Sequence, residues 1–544
     1  MRAQNSSSFP VALLASLLIC LLVSPQAHSA EQASQDTAPH YIPKTVAASL
    51  EKNQIPKEAI SISVLTIEPG RPGQITAKTV LDWHSQQAMN PASTMKLVTT
   101  LTGLDVLGPQ YRWRTNLYTD GLIRQGTLKG NLYLQGTGDP KLVPEELAKL
   151  MKALKDLGIQ KIDGNLFFDR SAYAPNVMEH NTIDGESLRA YNVPPDPLLY
   201  AFRTLSFQLG KSRTADFIDI SYTPPLSQLK VINQMQLVDQ SCDSWKSNIR
   251  FNLDPEGDGA PTNQLLTAQF SGSFPSACKG VNYNVVALDA NTFLTQGFAA
   301  AWELAGGTWA QAPIGKSGNV PLAARLLLQF EGIALADDVQ DINKYSNNVM
   351  ARQLMLTFAL EKMGKPATTE NGELVIQSWL KGLGLQFPEL VIENGSGLSR
   401  NEAISAEHMN QLLVAARNLS VGDTFYNSLP IAGTDGTMRN RLMAHLRKFL
   451  HLKKKPEARI KTGSLADVRA ISGYVMSKSG RMYAVTSFIN HPNAWRGLEA
   501  HDQLLAWLLE DGPEPKQARR SRSRTPSHSS PVGGSGNKIK SQPC

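Results

Sequence analysis

Met89-Asn90-Pro91-Ala92-Ser93-Thr94-Met95-Lys96 leads into a run in which Leu97, Leu101, Leu104 and Leu107 recur at the spacing of one helical face. The spacing predicts a helix over 94–107, stopped by Gly108-Pro109. At its start Ser93 and Lys96 stand three positions apart, so a hydroxyl and an amine share one face. Serine is a weak nucleophile until a base takes its proton. Lysine is a base only as the free amine, in a site that disfavours its charge. Taken alone the pair is a common accident, and a surface serine beside a surface lysine explains it equally well.

Two later strings supply what this pair lacks. Ser346-Asn347-Asn348 offers a second hydroxyl and an amide. Positions i and i+2 diverge on a regular helix, so Ser346 and Asn348 can face one cleft only from a loop or a helix end. From there Ser346 can relay a proton between Lys96 and a leaving amine. Asn348 can both donate to and accept from a substrate amide, and Asn347 reads as structural. Lys461-Thr462-Gly463-Ser464 follows the apolar lead Ala458–Ile460 on a predicted strand. Gly463 lets backbone lie against substrate, Lys461 and Thr462 suit a terminal carboxylate, and the N–H groups of Ser464 and Ser93 suit an oxyanion. Lys461 is also the second cation that would keep Lys96 uncharged. A helix-start Ser-x-x-Lys, a polar Ser-x-Asn and a strand Lys-Thr-Gly, in that order, are the signature of serine enzymes that acylate themselves on D-Ala-D-Ala peptides or β-lactams.

Working outward, Ile60–Ile67 alternates and reads as a strand, with Thr79–His84 as its hairpin partner across a turn at 70–73. From Tyr111 to Ala290 short β-like runs such as Leu128–Leu134 and Val281–Ala287 are separated by Gly, Pro, Asn and Asp, which predicts a mostly β insertion of one or two domains. Helical texture is read at Asn291–Leu304, Leu322–Phe330, Lys344–Lys362 and Ile404–Arg417. Strands follow at Ile471–Met476 and Met482–Ile489, and a closing helix at Leu498–Leu509. The fold class is α+β: an antiparallel sheet with flanking helices, interrupted by the insertion. At 544 residues the chain exceeds what one core usually organises. The boundaries are a segment 1–30, a first catalytic part 31–112, the insertion 113–288, a second catalytic part 289–510 and a tail 511–544.

Residues 1–30 read as an export signal rather than as fold: Arg2, an apolar run Val11–Val23, a break at Ser24-Pro25, then small residues at Ala27, Ser29 and Ala30. The alternative is a retained N-terminal anchor. In an exported protein Cys242 and Cys278 are close enough in sequence to bridge, the alternative being two buried thiols. Cys20 leaves with the signal, and Cys544 is left over. Seven basic residues and no acid between Pro515 and Cys544 equal the whole formal net charge of +7. The basic balance therefore says little about the body of the chain, and no nucleic-acid partner is expected. The tail reads as disordered, either a solvated extension or a tether to anionic envelope polymers. No Cys/His spacing suits zinc, and Pro255 spoils the acidic turn Asp254–Asp258 as a calcium loop. No metal or other cofactor is expected.

Pro91–Leu97, Tyr345–Asn348, Asn394-Gly395-Ser396-Gly397-Leu398-Ser399-Arg400, Ala432-Gly433-Thr434-Asp435-Gly436-Thr437 and Lys461–Leu465 together resemble one family. It is the D-alanyl-D-alanine carboxypeptidases/endopeptidases of the low-molecular-mass class C penicillin-binding proteins. The resemblance covers residues 55–509, and the long separation from Ser93 to Ser346 sets it apart from serine β-lactamases. It implies a transpeptidase-like domain interrupted after the first helix. It also implies periplasmic cleavage of terminal D-Ala and of D-Ala–diaminopimelate cross-links in peptidoglycan, with muropeptides as substrates and β-lactams as covalent inhibitors. By matching position Ser93 would be the nucleophile and Lys96 its base. Ser346 and Asn348 would form the second element, and Lys461, Thr462, Gly463 and Ser464 the anion-binding strand. Arg400 and Asp169, the latter in Leu166-Phe167-Phe168-Asp169, would face an amphoteric diaminopimelate side chain, a structural ion pair being the other reading. Ala466 stands where relatives can carry a polar residue, which leaves side-chain preference open. A homo-oligomer stays open too. The competing functions are a serine β-lactamase and a non-catalytic peptidoglycan-binding scaffold.

Overall fold

The computed structural model describes residues 40–69, 75–179, 185–186, 189–212, 214, 216–254, 261–286 and 288–512. The expected export signal with Cys20, the turn at 70–73, the acidic turn after Asp254, and the tail beyond Gly512 with Cys544 lie outside these residues.

Strands β1 (Ile60–Pro69) and β2 (Ile75–Trp83) pair antiparallel, as the alternation predicts. They join β8 (Glu457–Leu465), β9 (Val468–Met476) and β10 (Met482–Asn490) in a five-stranded sheet of order β2-β1-β10-β9-β8, antiparallel throughout. Alternate residues of a strand point to opposite faces, and here both faces are covered. On one, Ile62, Val64, Ile471 and Val485 pack with Leu50 of α1 (Lys44–Lys52) and Leu504 and Leu508 of α8 (Leu498–Leu509). On the other, Ala470, Tyr474 and Phe488 pack with Leu97 and Leu101 of α2 (Lys96–Leu107) and Met409 and Leu413 of α7 (Ala406–Ala416). Each wholly buried Leu or Ile stabilises this arrangement by roughly 1.5–3 kcal/mol. The α+β class and the antiparallel sheet with flanking helices stand.

The insertion has a core of its own. Its main sheet runs β6-β5-β4-β3-β7, formed by β3 (Arg112–Thr119), β4 (Leu132–Gly136), β5 (Leu166–Asp169), β6 (Gly315–Ser317) and β7 (Arg325–Ala334). β3 is antiparallel to both neighbours, and β4, β5 and β6 are mutually parallel. Two small three-stranded sheets follow in the chain, and Cys242 and Cys278 are disulfide-bonded.

Three expectations change. The helical reading of Leu322–Phe330 fails, because these residues lead into β7, paired with β3; a short run such as Leu326-Leu327-Leu328 carries no period to separate strand from helix. Helix α3 (Pro144–Asp156) interrupts the stretch whose texture predicts mostly β structure. Its signals are a proline in the first turn, Glu145 and Glu146 beside it, and Leu147, Leu150, Met151 and Leu154 on one face. The return to the catalytic part comes near Leu335 rather than at 289. Helix α4 (Ala290–Leu304) buries Phe293, Leu294, Phe298 and Trp302 in the insertion's core, and β7 closes its sheet.

Candidate active site

The segment expected to be one helix over 344–362 is two: α5 (Leu335–Tyr345) and α6 (Asn348–Met363). Ser346 breaks them in the left-handed region, at φ 58°. Asn347 caps α6, its side chain accepting from the Met350 N–H at 3.1 Å. The break turns the Asn348 amide to Lys96 of α2 and the Ser346 hydroxyl to Lys461 of β8.

Ser93 lies in a 3-10 turn, Ala92–Met95, that enters α2. Lys96 is wholly buried, and its Nζ has three oxygen neighbours. They are Ser93 Oγ at 3.0 Å, Asn348 Oδ1 at 2.6 Å and the Ser396 carbonyl. The last two can only accept. A neutral amine has two N–H bonds for them, and its lone pair is then left for the Ser93 O–H. Burial first, and then the Lys461 ammonium, holds Lys96 well below the usual lysine range, with Glu402 acting the other way.

Lys461 is the second wholly buried amine, pushed down to about 7 by burial. It donates to Ser346 Oγ at 2.8 Å and to the Thr462 carbonyl at 2.8 Å. The Thr462 hydroxyl meets that of Thr437 at 2.9 Å. Lys344, at the end of α5, pairs with Asp435 at 2.6 Å, so the Ala432–Thr437 string is drawn beside Ser346.

Strand β8 is the edge of its sheet. A Cβ on Gly463 would lie 2.7 Å from the Pro91 carbonyl oxygen and 3.0 Å from the Ser93 nitrogen. One on Gly397 would lie 1.9 Å from the Ala92 carbonyl oxygen. The two glycines bring backbone against the Ser93 turn from different strings. Ser464 follows Gly463 on β8, exposed and opposite Arg469 of β9.

The two residues expected on the substrate side part ways. Arg400 is half-exposed, ion-paired with Asp467 just past β8, and lines a cavity of about 440 Å³ with Arg352, Glu393, Asn394, Leu398 and Ser399. Asp169 is not brought into the cluster. It is buried in the insertion, where its oxygens accept from Gln135 Nε2 at 2.9 Å, Ser171 N–H at 2.9 Å and Val320 N–H at 3.2 Å. Burial acts to raise its carboxyl, yet these bonds hold it below the usual range. These partners are neutral, so the ion pair of the other reading is not formed among the described residues. Thr437 closes the Ala432–Thr437 string, whereas Glu402 and Arg352 lie outside every motif of the sequence. No cluster of metal-ligating side chains is found among the described residues.

The chain is 27% identical to the D-alanyl-D-alanine carboxypeptidase DacB of Haemophilus influenzae over 425 residues, 76% of this chain and 82% of that protein. It is 25% identical to a D-alanyl-D-alanine carboxypeptidase of an Actinomadura species over 476 residues, covering 82% and 84% of the two. The crystal structure of penicillin binding protein 4 (dacB) from Haemophilus influenzae matches with a TM-score of 0.63 over 85% of this chain and 99% of that one, at 24% identity, so the fold is shared. The sequence pattern of the D-Ala-D-Ala carboxypeptidase 3 (S13) family runs over residues 43–510, and the chain belongs to that family of low-molecular-mass class C penicillin-binding proteins as a serine-type carboxypeptidase.

Proposed function

We propose that the protein works by two-step acyl transfer through Ser93 on peptidoglycan stem peptides in the periplasm, after removal of its export signal. Lys96 takes the Ser93 proton as Oγ attacks the carbonyl of the penultimate D-Ala. The oxyanion is met by the Ser93 and Ser464 N–H groups, each such donor being worth roughly 10²–10³ in rate. Ser346, held by Lys461, passes the proton to the departing amine, and Lys461 and Thr462 receive the carboxylate that leaves with it. Water then cleaves the ester and regenerates Ser93. When the leaving amine belongs to diaminopimelate the same steps open a cross-link, and Arg400 faces the side chain. A penicillin acylates Ser93 by the same route; the Haemophilus protein has been crystallised with a novel β-lactam.

The observation that carries this reading is the Lys96 amine, buried with two obligate acceptors and one hydroxyl around it. The test incubates purified protein with monomeric pentapeptide and cross-linked muropeptides and identifies products by mass spectrometry. Loss of D-Ala and opening of cross-links are expected, and both disappear in Ser93→Ala. A penicillin adduct that persists fits a peptidase; rapid hydrolysis of the drug would make it a β-lactamase. An active Ser93→Ala protein, or no product from the wild type, defeats the assignment.

A further inference from the structure

We infer that Glu402 is a positioning residue for acyl transfer: its buried carboxylate staples the Asn394–Arg400 loop and so fixes the Ser396 carbonyl on the Lys96 amine. The inference rests on the reading of Ser93 and Lys96 as nucleophile and base.

Glu402 is only 1% exposed. One carboxylate oxygen accepts two backbone N–H groups at the start of the loop, Glu393 at 3.2 Å and Asn394 at 3.1 Å. Its own N–H reaches Ser399 Oγ at 3.3 Å, and that hydroxyl donates to the Glu393 carboxylate at 2.5 Å. The two ends of the loop are thereby tied together. Inside it, Asn394 Oδ1 accepts the Ser396 N–H at 2.9 Å and its hydroxyl at 2.5 Å. The Gly395 carbonyl accepts from Thr99 of α2 at 2.6 Å. Ser396 is wholly buried, and its carbonyl takes one N–H of Lys96. An unbroken series of hydrogen bonds therefore leads from the Glu402 carboxylate to the amine that deprotonates Ser93.

The second Glu402 oxygen is buried with no hydrogen-bond partner among the described residues. Such an atom is costly unless its charge is used. The charged groups around Lys96 are Lys461 on β8 and Arg352 on α6, which disfavour its proton, and Glu402, which favours it. Glu402 itself faces Lys96 and Glu393. Arg352 stands one turn beyond Asn348, and among the described residues its Nε has no hydrogen-bond partner either. Glu402 thus sets both the place of the Lys96 amine and the pH at which it is freed.

Glu402→Gln keeps the oxygen that accepts the two N–H groups and removes the charge. The experiment follows the second-order rate of labelling of the full chain by a fluorescent penicillin between about pH 5 and 9, with mass spectrometry locating the adduct. The acid limb should move to lower pH by roughly half a unit or more, and Arg352→Gln should move it to higher pH. A uniform fall in rate with the limb in place would reduce Glu402 to a structural part and overturn the inference; so would coincident profiles. If Glu402→Gln shows no unfolding transition, the Arg352→Gln limb decides: an upward shift supports the inference, and an unmoved limb ends it. Wild-type protein that takes no label at Ser93 at any pH fails the acyl-transfer reading itself, a result distinct from labelling without a shift.

Discussion

Two lysines without solvent contact, each beside a serine hydroxyl, set the chemistry at the residue scale. Neither can hold its proton as it would in water, and each penalises the other's charge, so their titration belongs to the pair. What they need is a backbone that stays close. Gly463 provides it, since a side chain there would meet the Pro91 carbonyl oxygen at 2.7 Å, the Ala470 Cβ at 3.0 Å and the Ser93 nitrogen at 3.0 Å. Two of those three are backbone and cannot swing aside, so Gly463→Ala must push β8 off the Ser93 turn. A displacement of about 1 Å at a reacting centre costs on the order of 10²-fold. Penicillin labelling of Gly463→Ala should fall by about that factor while the unfolding midpoint changes little; labelling at the wild-type rate would mean that β8 need not lie so close. The groups that gather at Ser93 were legible in sequence because each leaves a local mark: three-residue spacing for Ser93 and Lys96, a glycine after Thr462. Glu402 and Arg352 leave none. Glu402 is one charge in a polar loop and Arg352 a lone charge among mostly apolar residues of a helix, and only the packing of loop against helix brings the two together.

At the scale of elements, the break at Ser346 follows from a geometric requirement stated by the sequence, since a serine and an asparagine two apart cannot share one face of a helix. The left-handed Ser346 and the Asn347 cap meet it. Much of the central sheet was equally legible, because its strands alternate and its closing helix is amphipathic. The insertion was less so. Its sheet pairs β3 with β7, more than 200 positions away in sequence, and no local pattern announces such a partner. The Cys242–Cys278 bond, at a sequence separation of 36, ties the 3-10 turn Cys242–Asn248 to the connection that follows the strand Leu266–Pro275 in the insertion. Closing a loop of this length restricts the unfolded chain by about 3–4 kcal/mol in the chain-entropy account. Replacing both cysteines with serine should lower the urea midpoint accordingly. The rate of penicillin labelling below the transition should hold, because the bond touches none of the groups around Ser93. A labelling rate that falls in step with the lost stability would instead show the two parts unfolding as one.

The whole molecule depends on how the insertion rests on the catalytic helices. Gln353 of α6 donates to the Asp196 carbonyl at 2.8 Å and the Gly138 carbonyl at 3.3 Å, so one side chain joins two insertion loops to the helix that begins at Asn348. Next to Gly138, Asp139 is 2% exposed, and Asp338 of α5 is wholly buried with neither oxygen hydrogen-bonded among the described residues. Burial pushes Asp139 up to about 6, and burial and then Asp139 itself raise Asp338 well above the carboxylate range. A carboxyl whose folded pKa is raised gives stability that is complete below the unfolded value, near 4, and is lost as pH rises through the folded value, near 6. At neutral pH the junction therefore holds a buried charge that weakens it by roughly 2–3 kcal/mol. Asp139→Asn removes that charge and keeps the oxygen that accepts the Lys141 N–H at 2.8 Å. The variant should match wild type near pH 4 and exceed it by about 2–3 kcal/mol in urea unfolding near pH 7.5, the gap opening between those limits. A gap of constant size across that range would mean that Asp139 does not change protonation on unfolding, and the junction would then owe its strength to Gln353 and packing alone.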